Sequence, residues 1–311
     1  MAKILITPRS FAKYSDKPYK MLTESGIDYV LNPVGGIMSK TDILESIKGM
    51  DGIIVGVDPL DKDVISAGNL KAISKYGVGT DNIDLEYCKE QGIEVSITRN
   101  ANSEAVADYA FALILSVARK VVEIDRGCRN GDWSKKVSTD VFGKKIGVAG
   151  LGAIGRGVVS RAKGFSMDVY GYDVFRDDEY IRANNITFAN VDQMLEQCDF
   201  LSLHMPLTEE TKFLINAKNL QKANKNLIII NTARGGIVNE DDLYEALKSN
   251  LILGAGVDVF EQEPPENSKL LELDNVVVGS HCAGSTIGAV DVMSEMAVEN
   301  IIQSLRKRGV I

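Results

Sequence analysis

Histidine occurs only twice in the 311 residues, and both copies, His204 and His281, end a short apolar run of the kind that forms a buried strand. An imidazole with an ordinary pKa of about 6.5 can take or give a proton at neutral pH, so either residue is a candidate acid/base. Arg234 lies in NTARGG, after one such run and before two glycines. A guanidinium there could grip a carboxylate with two parallel hydrogen bonds, or equally form a surface ion pair. Glu263 precedes Pro264 and Pro265, whose restricted backbone would hold a carboxylate steady. Together these side chains suit proton transfer beside a bound anion. Spacing alone does not choose between the two histidines.

A metal is not expected. His281 and Cys282 are adjacent, and neighbouring side chains rarely turn toward one ion. Cys88, Cys128, Cys198 and Cys282 lie far apart with no C-x-x-C, which reads as reduced thiols.

A cofactor signal lies at GLGAIG, residues 150–155, with Gly150, Gly152 and Gly155 flanking Ala153 and Ile154. Such a motif is weak alone, but here a strand-like run precedes it and a helix-like run follows. Asp173 ends the next strand, 18 residues after Gly155. The first glycine permits a tight turn, the second lets backbone approach a pyrophosphate, and the third allows close helix packing. The helix N-terminus then stabilises the phosphate charge. Asp173 would accept from ribose hydroxyls and repel a 2′-phosphate, which predicts NAD over NADP, with nearby Arg176 able to soften the preference.

Such chemistry needs a scaffold that gathers distant segments on one rim. Val/Ile-rich runs at 3–7, 52–56, 71–77 and 93–97 alternate with stretches of helical period such as SKTDILESIKGM, which Ser39 can cap. A second series at 144–150, 167–173, 198–204, 226–232, 251–260 and 275–281 predicts a full doubly wound domain. Its strand ends lead into His204, Thr232 to Gly236, Asp258 to Pro264 and His281 to Gly284, so polar groups accumulate where such folds bind ligands.

The expected fold is therefore α/β with two parallel-sheet domains, since the chain exceeds the size at which one core stops growing. The segment 103–120 is apolar on nearly every face and must be covered all round, by the other domain or by a second copy. Its length and Asp108 argue against a membrane span. The last helix is long enough to return to the first series. That gives a discontinuous domain, 1–99 plus 288–311, around a nucleotide domain at 100–287. A formal charge of −8 provides no basic face for nucleic acid or anionic lipid. The N-terminal run lacks the cleavage site of a signal peptide, so a cytoplasmic protein is expected.

The set YGVGTDNID (76–84), GLGAIG, HMPLT (204–208), NTARGG (231–236), GVDVFEQEP (256–264) and SHCAGST (280–286) resembles the D-specific 2-hydroxyacid dehydrogenase family, closest to its phosphoglycerate-dehydrogenase-like branch. The resemblance covers nearly the whole chain. It implies a flavodoxin-like and an NAD-binding Rossmann-like domain with a cleft between them, and a homodimer through helix 103–120. It assigns Arg234 to the substrate, Glu263 to orienting the acid/base, and His281 to the acid/base itself. His204 matches a position beside the cofactor, as do Pro206, Thr211, Thr232, Ala233 and Gly284, while Asp258 matches the residue meeting the nicotinamide carboxamide. Val78 and Gly79 match the loop whose N–H groups hold the substrate carboxylate, with Lys75, Tyr76 and hinge residue Asn102 completing the substrate set.

The implied reaction is reversible hydride transfer between NAD(H) and a small 2-hydroxy/2-oxo acid of the 3-phosphoglycerate or hydroxypyruvate type. Phosphoglycerate enzymes of the family often carry an Arg-Ser pair where this chain has Gly56-Val57-Asp58-Pro59, which removes a phosphate ligand. Lys75 could meet an anionic tail or be a solvated strand-end lysine. Two other readings stand beside this one. The first is a NAD-sensing binding protein similar to the corepressors that share the fold, and the second is a formate- or phosphite-type dehydrogenase. A Glu–His pair fits hydroxyl deprotonation better than formate, which has no hydroxyl.

Overall fold

The computed structural model describes residues 2–311, and the chain divides into two compact α/β units. The first comprises residues up to Asn102 together with Ser285–Ile311, and the second is Ser103–Gly284.

The first unit holds β1 (Ala2–Ile6), β2 (Ile27–Leu31), β3 (Gly52–Val55), β4 (Ala72–Lys75) and β5 (Glu94–Ile97) in the order β2-β1-β3-β4-β5, all parallel. Every residue of β3 and β4 is buried, because helices cover both faces of a parallel sheet. β2 has no counterpart among the sequence-predicted strands. Its IDYVL exposes Asp28, Tyr29 and Leu31 at the sheet edge, and so lacks the apolar run that marks the others. Ser39 caps the helix Lys40–Ser46 in a reciprocal box with Asp42. The C-terminal helix Ile287–Lys307 packs on β3, β4 and β5, burying Ala297, Val298, Ile301 and Leu305 in this unit's core.

The second unit holds β6 (Lys145–Ala149), β7 (Asp168–Tyr172), β8 (Thr187–Phe188), β9 (Phe200–Leu203), β10 (Ile228–Asn231), β11 (Gly254–Val257) and β12 (Val276–Val278). Their order is β12-β11-β10-β9-β6-β7-β8, again parallel throughout. The order reverses between β6 and β9, which opens a crevice outside the carboxyl ends of those strands. β8, two residues long, is the addition to the six strands expected from sequence.

Helix Ser103–Ala118 lies on β10, β11 and helix Ala153–Gly164, and buries Ala107, Ala110, Phe111, Leu113, Ile114 and Ala118 there. Much of the cover that its apolar faces require therefore comes from its own unit. Arg161 of the neighbouring helix takes its polar edge, reaching Glu104 Oε2 at 2.9 Å and Asp108 Oδ1 at 2.5 Å. No helix among the described residues is long and apolar enough to cross a membrane.

Candidate active site

Strand order places the reactive side chains of the second unit on successive loops, Arg234 after β10, Asp258 and Glu263 after β11, and His281 after β12. His281 Nδ1 lies 2.7 Å from Glu263 Oε2. A carboxylate can only accept, so Nδ1 carries the hydrogen and Nε2 is left as the proton-exchanging atom. Burial would raise the Glu263 carboxyl, but the hydrogen bond and charge of His281, the N–H of Phe260 and the charge of Arg234 outweigh it. The carboxyl is held below its ordinary value. Glu263 Oε1 accepts the Phe260 N–H at 3.1 Å, so both oxygens are engaged and the carboxylate cannot swing away.

His281 itself has a left-handed backbone, φ +56°, unusual for a residue with a Cβ. Asp258 holds that conformation. Its carbonyl accepts the His281 N–H at 2.8 Å, and its buried carboxylate accepts from Cys282 N (3.1 Å) and Ala283 N (2.9 Å). A Cβ on Gly279 would collide with that carboxylate and lie 2.7 Å from Tyr109 Oη, so only glycine fits the approach to the clasp. Asp258 and Tyr109 are thus part of the support for His281. Sequence reasoning missed this because nothing in the spacing says that an acid after a strand turns inward.

Arg234 is half-buried and donates from Nη1 to the Ala233 carbonyl at 2.6 Å. Buried Asn231 shapes its loop, donating to Arg234 O at 2.8 Å and accepting from Ala233 N at 3.1 Å. A Cβ on Gly235 would overlap the Phe260 carbonyl, so the loop carrying Arg234 presses against the one carrying Glu263. That close approach explains the first glycine of the ARGG run.

The dinucleotide motif has the shape its chemistry requires. Gly150 has φ +99°, and a Cβ there would lie 2.5 Å from the His204 carbonyl; a Cβ on Gly155 would strike the Gly150 carbonyl. Gly152 faces open space and begins helix Ala153–Gly164 with no side chain capping its amides, leaving the first turn, with Ala153 and Ile154, to an anion. Asp173 Oδ2 accepts from Leu151 N at 2.7 Å and Oδ1 from Phe175 N at 2.8 Å, which aims the carboxylate beside the glycine loop. Arg176 is turned to other partners. Its Nε donates to Asp178 at 2.7 Å and its guanidinium lies 4.5 Å from the Phe188 ring centre.

Two buried polar atoms on the same rim, Thr232 Oγ1 and His204 Nδ1, have no hydrogen-bond partner among the described residues. Open backbone at Gly152 and these orphan atoms fit a bound dinucleotide. Thr211 donates to Pro206 O at 2.7 Å and accepts from Thr208 N at 2.7 Å, so it shapes the loop carrying Pro206. Ala233 and Gly284 are half-buried at the ends of their loops.

The two histidines differ sharply. His204 Nε2 pairs with Ser202 Oγ at 2.8 Å, and burial pushes its pKa from the ordinary 6.5 down to about 3. It stays neutral near pH 7 and has no acidic partner among the described residues. His281 alone has a carboxylate on one nitrogen and a half-exposed ring.

The remaining sequence candidates lie in the first unit. Tyr76 turns its hydroxyl to Val290 O (3.1 Å) and Ser294 Oγ (3.2 Å), so a ligand would meet only its backbone. Val78 is exposed, and the N–H groups of Val78 and Gly79 have no hydrogen-bond partner among the described residues. Asn102 is half-buried at the boundary with helix Ser103–Ala118. Lys75 is buried, 5% exposed, and so is no solvated strand-end lysine. Among the described residues no group of three or more His, Cys, Asp or Glu could hold a metal ion.

Comparison with known proteins agrees with this geometry. Residues 111–283 match the family described as D-isomer specific 2-hydroxyacid dehydrogenase, NAD binding domain. A glyoxylate reductase of Korarchaeum cryptofilum is 40% identical over 282 residues, 88% of this chain and 84% of that protein. A D-3-phosphoglycerate dehydrogenase of Methanocaldococcus jannaschii is 37% identical over 98% of this chain, which spans only 58% of that protein's length. The structure of a D-lactate dehydrogenase from Aquifex aeolicus complexed with NAD and lactic acid superposes with a TM-score of 0.83 at 27% identity, covering 99% of this chain and 96% of that one. Matched by that family across more than half its length, the chain belongs to the D-isomer specific 2-hydroxyacid dehydrogenases, NAD-binding oxidoreductases that act on CH–OH groups.

Proposed function

We propose that the protein reversibly interconverts a small, unphosphorylated 2-hydroxy acid and its 2-oxo acid, of the glyoxylate or hydroxypyruvate type. The observation that carries the reading is the 2.7 Å pair of His281 and Glu263, two loops along the rim from Arg234.

NAD held at the glycine loop supplies the acceptor of hydride in oxidation and, once reduced, its donor. Arg234 binds the substrate carboxylate, and in the first unit the N–H groups of Val78 and Gly79 are donors of the same kind. His281 Nε2 takes the hydroxyl proton in oxidation and returns one to the oxo oxygen in reduction. Glu263 stabilises the imidazolium formed on the way.

The loop after β3 supports an unphosphorylated substrate. Its Val57 is exposed, and the buried Asp58 carboxylate accepts from Thr7 Oγ1 and from Met38 N. Residues 56–59 thus offer a phosphate no cation and place a carboxylate nearby. A relative 40% identical, matched over 84% of its own length, is named a glyoxylate reductase, which supports the same choice.

Exposed Val121, Val122, Ile124, Trp133, Val137 and Phe142 form an apolar tract after helix Ser103–Ala118 that suits a homodimer. A NAD-sensing binding protein is disfavoured because such a role does not require the Glu263–His281 pair.

The test is NADH consumption with glyoxylate, hydroxypyruvate, phosphohydroxypyruvate, pyruvate and branched 2-oxo acids, repeated with NADPH and ranked by kcat/KM. Glyoxylate or hydroxypyruvate is expected to lead, with NADH preferred. Cofactor binding without turnover of any 2-oxo acid would instead favour the binding protein.

A further inference from the structure

Lys75 is a buried cation at the end of β4, just before the loop that carries Val78 and Gly79. Its Nζ donates to the Gly56 carbonyl and to Asn82 Oδ1, the latter at 2.8 Å. Asn82 in turn donates to Gly56 O at 3.1 Å and to Asp58 O at 2.5 Å. The clasp ties the loop after β3 to the loop after β4, beside the β1–β3 reversal of strand order where ligands of open sheets bind.

The lysine stem runs close to Gly77, where a Cβ would lie 3.9 Å from Lys75 Cε and φ is +127°. Gly77 is fixed from the other side by Thr98, whose Oγ1 accepts its N–H at 2.8 Å and whose own N–H reaches its carbonyl at 3.0 Å. Directly beyond it come the two N–H groups that bond to nothing among the described residues. An apolar side chain of the same length would fill the space of Lys75 with less desolvation cost. What the ammonium adds is donor geometry and positive charge.

We propose that Lys75 is a positioning residue for substrate: it locks the loop 77–79 and lends its charge to the anion site formed by the Val78 and Gly79 amides. The inference rests on the proposed assignment of those amides to the substrate carboxylate. It replaces direct contact between Lys75 and an anionic tail with action through the loop.

Oxalate, a small carboxylate that cannot be reduced here, is the probe, titrated into NADH-saturated enzyme beside steady-state kinetics with glyoxylate. Lys75→Met is expected to raise the oxalate Kd and glyoxylate KM about tenfold, with kcat and NADH affinity changed less than about threefold. Lys75→Arg should recover part of the loss. Asn82→Ala, a milder change to folding, should raise KM severalfold and decides the matter if Lys75→Met does not fold. Wild-type turnover together with unaltered oxalate binding in Lys75→Met, or unaltered KM in Asn82→Ala, overturns this inference alone. Wild-type enzyme that neither binds oxalate nor reduces any 2-oxo acid overturns the functional reading and this inference together.

Discussion

Glu263 and His281 stand 2.7 Å apart on neighbouring loops, with the remaining Glu263 oxygen anchored on the Phe260 amide. The hydrogen bond and charge of His281 help hold the Glu263 carboxyl below its ordinary value, so at neutral pH it faces the ring as an ionised acceptor. Reduction draws a proton from His281 Nε2, and the negative charge opposite stabilises the ring while it carries that proton. Glu263→Gln should therefore move the pH–rate profile of reduction toward lower pH and reduce kcat at neutral pH. A profile of kcat/KM between pH 5 and pH 9 checks it, and an unmoved profile refutes the pairing.

The two histidines should separate cleanly on mutation. His281→Ala is expected to lower kcat about 10²- to 10⁴-fold, the usual contribution of a positioned acid/base. His204→Ala should leave kcat within about tenfold and act on NADH affinity or stability. Single-turnover measurement with saturating NADH distinguishes the two, and a larger chemical defect in His204→Ala reverses the assignment.

Half-buried His204, with its Nδ1 closed off from solvent, also predicts a pH dependence of stability. Its pKa in the folded protein, about 3, lies below the ordinary 6.5, so the unfolded chain binds a proton first as pH falls. Stability is complete above about pH 6.5 and declines toward pH 3, by up to about 1.4 kcal/mol per pH unit for a single proton. Urea unfolding of wild type and His204→Gln at pH 7 and pH 5 should show a smaller acid loss in the variant.

Gly279→Ala puts a methyl group into the Asp258 carboxylate and near Tyr109. The buried acid would have to leave the Cys282 and Ala283 amides, at a cost of about 1–3 kcal/mol for polar groups left unpaired. The expected result is a lower melting temperature together with a drop in kcat exceeding the rise in NADH KM. Unchanged kcat would show that the clasp does not set the position of His281.

The inner strands of both parallel sheets were legible because burial on two faces turns them into apolar runs, as in IIIN of β10. β2 was not, since an edge strand can keep Asp28 in solvent. GLGAIG and Asp173 could be read as a unit because each glycine answers a local steric demand. The histidines could not be told apart, because both end strands and the difference lies in burial, a property of tertiary neighbours. Lys75 was ambiguous for the same reason: its charge is plain in the sequence, whereas the bonds to Gly56 of another loop and to Asn82 seven residues on exist only once the chain has folded.

β12 is an edge strand of three residues joined only to β11, and His281 hangs from its end; β6, which carries the glycine loop, is held on both sides. Fraying of a sheet begins at such margins, where few backbone bonds must break. Turnover and nucleotide retention thus depend on opening events of unequal cost. Mild urea or warming should silence the enzyme while NADH is still bound, so that activity loss reports the peeling of one short strand long before the domain melts.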